Sequence, residues 1–312
     1  MRGGTLQHTV EFVNTVLTTR KKPCRLAWVS TFHGRVAVVT GAGSGIGRSL
    51  AAGLARRGAR LALSDIDEAT VAATAEGLRA RGAEVIHQRL DVSDRAAMEA
   101  YAQVVVGHYG AAHQIFNNAG VGFSRTVLAS DYADYERVLA VNLWGVIHGT
   151  KAFLPHVIAS GAGHIINISS LNGFMAQGSL SHYCTAKFAV RGFTESLRIE
   201  MIEGRHPVQV MCVHPGGIKT NIATLALERA RQAGLPVSAD DEARTRVYNE
   251  KLLRMSPDRA AEIILNGVAS DRPRVLVGND ARLIDVVVRA LPSVYAHAVV
   301  ALGKRMARGV RA

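Results

Sequence analysis

The chain reads as an α/β protein: one doubly wound, parallel, seven-stranded sheet with helices on both faces. Three observations predict this. Short apolar runs alternate with stretches of helical spacing from Arg35 to about Val277. The runs are apolar throughout, as strands buried on both faces are. Glycines and unusual polar residues gather where the runs end, and open parallel sheets bind ligands beyond those ends.

Val36 to Thr40 is the first run, followed by a glycine-rich turn and a helix over Ser49 to Arg57. Arg60 to Asp65 is the second strand, Glu68 to Arg81 the second helix, and Glu84 to Leu90 the third strand. Ser93 is expected to cap a helix reaching about His108, since its hydroxyl can accept from free first-turn amides. Gln114 to Phe116 is the fourth strand and runs into Asn117-Asn118-Ala119-Gly120. One long helical stretch covers Asp131 to Ala159. His164 to Ile168, a helix from Tyr183 to Glu203, and Val208 to Val213 follow, stopped by Pro215-Gly216-Gly217. Pro257 to Ala269 reads as helix and Val275 to Val277 as the last strand. The expected organisation is an N-terminal extension (1–33), one domain (34–280) that includes a long loop at 218–257, and a basic amphipathic segment (281–312).

A composition of 48% hydrophobic and 20% charged residues suits a chain with a sizeable core. No run reaches the ~18 apolar residues of a membrane span. The extension has no long apolar core or small-residue cleavage site, so it is expected to be flexible and not a secretory signal. Cys24, Cys184 and Cys212 are few and odd in number, which fits a reducing compartment, the cytoplasm. No metal site is expected. The net charge is +12, of which residues 1–33 carry +4 and residues 281–312 carry +5. The middle is close to balanced, so no nucleic-acid partner is expected.

Gly41, Gly45 and Gly47 lie between the first strand and first helix, with Ser44 and Ile46 among them. Glycines let a backbone approach a pyrophosphate, and the helix start offers free amides and partial positive charge. Asp65 ends the second strand, where a carboxylate can accept from both adenosine ribose hydroxyls. The same carboxylate repels a 2′-phosphate, so NAD is expected in preference to NADP, with Arg48 the one nearby cation acting against this. Asp91 and Val92, then Asn118, Ala119 and Gly120, end the next two strands as further cofactor contacts. Tyr183 and Lys187 lie four apart on a helical stretch, hence on one face. An ammonium there stabilises a phenolate and lowers the phenol pKa.

Taken in order, Thr40-Gly41-x-x-x-Gly45-x-Gly47, Asp91, Asn117 to Gly120, Asn142, Ser170, Tyr183-x-x-x-Lys187 and Pro215-Gly216 resemble the short-chain dehydrogenase/reductases. The similarity covers roughly residues 34–280 and points to their compact, single-domain, Rossmann-like branch. It implies a nicotinamide cofactor and a catalytic group carried on Asn142, Ser170, Tyr183 and Lys187. Ser170 is chosen over Ser169 by its thirteen-residue interval to Tyr183. The resemblance also implies nicotinamide contacts from the segment at Pro215, Gly216, Ile218 and Thr220. It implies ribose contacts from Lys187, a water held by Asn142, and a homodimer or homotetramer built on the helices of Asn142 and Tyr183.

The expected reaction is hydride transfer between NAD and a secondary alcohol or its ketone, with Tyr183 as general acid/base. Leu171, Phe174 and Met175 beside Asn172, and the apolar stretch Ile222 to Leu235, favour a lipophilic substrate: lipid, steroid, retinoid or terpene-like. The run Asp240 to Lys251 reads as a solvated helix face. The C-terminal segment pairs apolar residues with Lys304, Arg305, Arg308 and Arg311. Such a segment can lie on an anionic membrane surface or pack on a subunit or the core. The competing class is a non-catalytic dinucleotide-binding or membrane-surface sensor on the same fold. The complete Ser-Tyr-Lys-Asn set argues for the enzyme.

Overall fold

Strands β1 (Val36–Thr40), β2 (Arg60–Asp65), β3 (Val85–Arg89), β4 (Gln114–Asn117), β5 (Gly163–Ile168), β6 (Val208–Pro215) and β7 (Arg274–Val277) form one parallel sheet, in the order β3-β2-β1-β4-β5-β6-β7. This computed structural model describes residues 31–220 and 253–308, with isolated positions between them. Most of the extension, and most of the loop at 218–257 with the stretches Ile222 to Leu235 and Asp240 to Lys251, lie outside the described residues.

The strand order turns back on itself between β1 and β4, which opens a crevice at their carboxyl ends. Val39 lies opposite Phe116, so the turn after β1 meets the chain leaving β4. Among the described residues the helices are α1 (Gly45–Ala55), α2 (Glu68–Arg79), α3 (Arg95–Tyr109), α4 (Tyr132–Leu139), α5 (Gly145–Ala159), α6 (Ser181–Glu203), α7 (Pro257–Val268), α8 (Asn279–Ala290) and α9 (Tyr295–Arg308).

Two cores flank the sheet. Ala37 and Val39 face one, with Leu50, Leu54, Phe116 and Leu265. Val36 and Val38 face the other, with Met98, Ile115, Phe153 and Leu197. Successive strand residues point to opposite faces, and both faces are covered, so every position of β1 is apolar or buried. Each large aliphatic or aromatic side chain so buried contributes roughly 1.5–3 kcal/mol.

Three local expectations need correction. Asp94, not Ser93, caps α3, its carboxylate accepting from the Ala97 amide at 3.0 Å. Ser93 instead turns back, its amide and hydroxyl both donating to Asp91 Oδ1 at 2.9 and 2.6 Å. The first helix begins at Gly45, not Ser49, so the last glycines form its first turn. The stretch Asp131 to Ala159 is not one regular helix: a π-helical turn, Ala140–Trp144, separates α4 from α5. The wider turn carries Asn142, whose amide bonds both backbone groups of Val121 at 2.8 and 2.7 Å. Those two bonds help offset the local loss of regular i→i−4 geometry.

A buried polar ladder ties the helices to the sheet. Asn117 Nδ2 donates to Thr150 Oγ1 at 3.1 Å and Asn167 Oδ1 at 2.8 Å, and Asn167 Nδ2 donates to Thr194 Oγ1 at 3.0 Å. Thr150 lies on α5 and Thr194 on α6, so the ladder sets both helices against β4 and β5.

Candidate active site

The glycine turn closes against the end of β4. Gly41 has φ of 66°, in the left-handed region, and a Cβ there would lie 2.8 Å from Ala119 Cα. A Cβ on Gly47 would lie 2.0 Å from the Gly41 carbonyl oxygen. Larger residues at either position would pry the turn open. Thr40 Oγ1 accepts from the Asn118 and Ala119 amides at 3.0 and 3.1 Å. Asn118 Nδ2 donates to the carbonyls of Thr40 and Gly41 at 2.9 and 3.2 Å.

Ser44 is exposed at the start of α1 without a side-chain capping bond, and Ile46 packs against the core. Asp65 is held in advance: Oδ2 accepts from the Gly43 amide at 2.9 Å and Oδ1 from Asp67 at 3.1 Å. Val92 is buried, and a Cβ on Gly145 of α5 would lie 2.7 Å from its Cγ2. Thr220 reaches the turn from the far side, its Cγ2 3.1 Å from where a Cβ on Gly45 would stand. Ile218 is buried and bridges to Met255.

Pro215 ends β6, and the next two residues rest on Asp280, whose Oδ2 accepts from the Gly217 amide at 2.7 Å. A Cβ on Gly216 would lie 2.3 Å from that oxygen, so glycine is required for the approach. Sequence reading missed Asp280, although an acid two residues past a glycine at a helix start was the available signal.

Tyr183 and Lys187 share a face of α6, with Nζ 5.7 Å from the phenol ring centroid. Lys187 is only 4% exposed and donates to the Ile168 carbonyl at 3.0 Å. Burial lowers its pKa to about 8, with the nearby Cys212 acting weakly the other way. Ser170 is buried at the end of β5, and its Oγ accepts from the Asn172 amide at 3.1 Å. Ser169 Oγ donates to the Lys187 carbonyl at 2.8 Å, which joins that turn to α6.

The segment from Gly120 to Gly122 touches the other three residues. A Cβ on Gly120 would lie 3.2 Å from Asn142 Oδ1 and 3.8 Å from Lys187 Nζ; one on Gly122 would lie 3.2 Å from the Tyr183 ring. Asn142, Tyr183 and Lys187 therefore meet around Gly120 to Gly122, and Ser170 stands two residues past Ile168, whose carbonyl accepts from Lys187.

Phe174 and Met175, on which the expectation of a lipophilic substrate partly rests, are buried and present no exposed apolar surface. Exposed apolar side chains stand instead on the segment that follows Gly122: Val127, Leu128 (99% exposed) and Tyr132 (89%). That segment meets the turn before α6 where the Arg125 amide donates to the Ser179 carbonyl at 2.8 Å. The C-terminal helices lie beside the same loop, with Tyr295 Oη accepting from the Ala176 amide at 3.3 Å. Asp285 on α8 binds Arg274 of β7 at 2.7 Å. Leu283 and Val286 of α8 remain 66% and 63% exposed. No described helix is long and apolar enough to cross a membrane.

Comparison with known proteins agrees with this fold. The family described as short chain dehydrogenase matches residues 35–230. A Mycobacterium tuberculosis (strain H37Rv) protein named as an oxidoreductase, SadH, is 50% identical over 273 residues, 88% of this chain and 96% of its own length. Levodione reductase of Leifsonia aquatica is 36% identical over 194 residues, 61% of this chain and 71% of its own. The crystal structure of a Burkholderia phymatum short chain dehydrogenase/reductase in complex with NAD matches with a TM-score of 0.76 at 34% identity, over 83% of this chain and 94% of that one. The chain belongs to the short chain dehydrogenase family and is an NAD(P)-dependent oxidoreductase.

Proposed function

We propose that this enzyme moves hydride between NAD and a lipophilic secondary alcohol or its ketone, with Tyr183 as general acid/base. The observation that carries the reading is the buried Lys187 ammonium one helical turn from Tyr183, beside Asn142 and Gly120. The nicotinamide supplies the hydride acceptor or donor when it is bound. Tyr183, as phenolate, takes the hydroxyl proton in oxidation and returns it in reduction. Ser170 hydrogen-bonds the same substrate oxygen and orients it. Lys187 stabilises the phenolate by its charge and would bind the ribose hydroxyls. Asn142, fixed by its two bonds to Val121, holds the water that links Lys187 to solvent.

Glycines that admit no Cβ, and a carboxylate already oriented at the turn, suit an adenine dinucleotide. Gly41, Ser44, Gly45, Ile46, Gly47, Asp91, Val92, Asn118, Ala119 and Gly120 would line its pyrophosphate and adenosine. Pro215, Gly216, Ile218 and Thr220 would line the nicotinamide end. Asp65 would accept from the ribose hydroxyls and repel a 2′-phosphate, which supports NAD over NADP.

Val127, Leu128 and Tyr132 support the lipophilic substrate. A panel of alcohols and ketones, including steroids and long-chain secondary alcohols, read by NADH fluorescence, tests the reading. Turnover should be best with the lipophilic members, and NADH should bind at least about tenfold more tightly than NADPH, a difference of about 1.4 kcal/mol. Tighter NADPH binding would overturn the argument from Asp65, and turnover confined to small polar alcohols would overturn the substrate class.

The basic C-terminal segment suits contact with an anionic membrane surface, because Leu283 and Val286 leave an apolar row open beside exposed Arg282 and Arg289. The enzyme should float with anionic vesicles at low salt, and Leu283→Asp with Val286→Asp should abolish flotation. Unchanged flotation together with a smaller oligomer in sedimentation would instead assign this face to subunit packing.

A further inference from the structure

His214 is fully buried near the end of β6, next to Pro215. Its Nδ1 lies 2.8 Å from the Ser170 carbonyl oxygen. A carbonyl only accepts, so Nδ1 carries the proton and donates. Nε2 is buried with no hydrogen-bond partner. Burial pushes the pKa down to about 4, outweighing the favourable bond to Ser170, so the ring is neutral at pH 7. Arg274, Arg191 and Glu195 are the charged groups that act on it.

The ring is gripped from the side. Phe174 meets it edge-on at 5.2 Å, and the Arg274 guanidinium lies 5.3 Å over Phe174. Arg274 is itself held by Asp285. The turn after Ser170 is squeezed between this ring and α6: a Cβ on Gly173 would lie 2.3 Å from Ser169 Oγ, 2.8 Å from the Lys187 carbonyl and 3.4 Å from His214 Nδ1. The Ser170 carbonyl also accepts from the Gly173 amide at 2.9 Å, while the Ser169 amide donates to Val213 at 2.8 Å. An imidazole with an orphaned Nε2 is a costly way to fill a core position that an apolar ring could occupy. Such a cost is expected where function needs the remaining bond.

We propose that His214 is a positioning residue for Ser170: its Nδ1–H anchors the Ser170 carbonyl so that the Ser170 hydroxyl meets the substrate oxygen in register with Tyr183. The inference rests on the catalytic roles proposed above for Ser170 and Tyr183. A displacement of about 1 Å at such a group costs about 10²-fold in rate.

The full-length enzyme carrying His214→Asn, His214→Gln or His214→Phe tests this, with Ser170→Ala and Tyr183→Phe alongside. The Asn amide nitrogen hangs from Cγ, as Nδ1 does, whereas the Gln nitrogen sits one methylene further out. His214→Phe and His214→Gln should lose about 10²-fold in kcat, with KM and NADH affinity within about twofold of wild type. His214→Asn should recover at least tenfold of that loss. Concentrations are set by NADH-binding sites, so a loss of folded protein does not count as a loss of rate. If the Phe variant does not fold, the Asn-against-Gln comparison decides. Wild-type kcat in the Gln variant, or equal kcat in Asn and Gln, overturns the proposal. If Ser170→Ala and Tyr183→Phe also keep their turnover, the catalytic reading itself fails; if those two lose it, only the role of His214 does.

Discussion

Tyr183→Phe is expected to lower turnover by ~10³-fold while NADH binding stays within about twofold of wild type. Only the hydroxyl is removed. The ring still packs over Gly122 and beside Lys187, so the cradle for the dinucleotide is left in place. What is lost is the group that gives and takes the substrate proton. Single-turnover and NADH-fluorescence measurements on the same preparation separate chemistry from binding. Retained turnover would remove Tyr183 from the acid–base role, and Ser170 with its bound substrate would then need another proton partner.

Lys187→Met is expected to remove turnover by ~10²-fold or more and at the same time to raise Tm by roughly 2–4 °C near pH 7. The ammonium is buried, and burial brings its pKa from the ordinary lysine value of 10.5 to about 8. Because the folded value lies below the unfolded one, the unfolded chain holds more protons between pH 8 and 10.5. The cost of burying the charge is therefore full below pH 8, on the order of 3 kcal/mol, and fades as the pH rises through that window. Met fills similar volume without the charge, and the lost bond to Ile168 offsets part of the gain. The difference in Tm between the two proteins should shrink from pH 7 to pH 10. An unchanged difference would mean that Lys187 is not carrying a buried charge. A catalytic lysine that destabilises its own fold is the trade expected of a functional site.

Much of this architecture could be read from the chain. The seven strands and their alternation with helices follow from apolar runs of the right length. The Tyr183–Lys187 pair follows from a helical period that puts i and i+4 on one face. Asp65 followed from its place at a strand end, and its bond to Gly43 is what such a place allows. The π turn at Asn142 could not be read, because its apolar pattern differs little from that of a regular helix and its reason is a backbone segment, Val121, twenty-one residues away. Phe174 and Met175 misled for a related reason: apolarity predicts burial as readily as it predicts a substrate wall, and here it meant burial.

By itself, the sequence determined the sheet, the glycine turn and the identities of the candidate catalytic residues, since these depend on local period, backbone freedom and side-chain chemistry. Only the tertiary structure decided what holds them. Asp280 beneath Gly216 and Gly217, His214 on the Ser170 carbonyl, and the Asn117–Asn167 ladder all join residues that are tens of positions apart. Such contacts leave no periodic trace along a chain. They arise when parallel strands bring remote segments to one edge, where most buried donors and acceptors find their partners on another element.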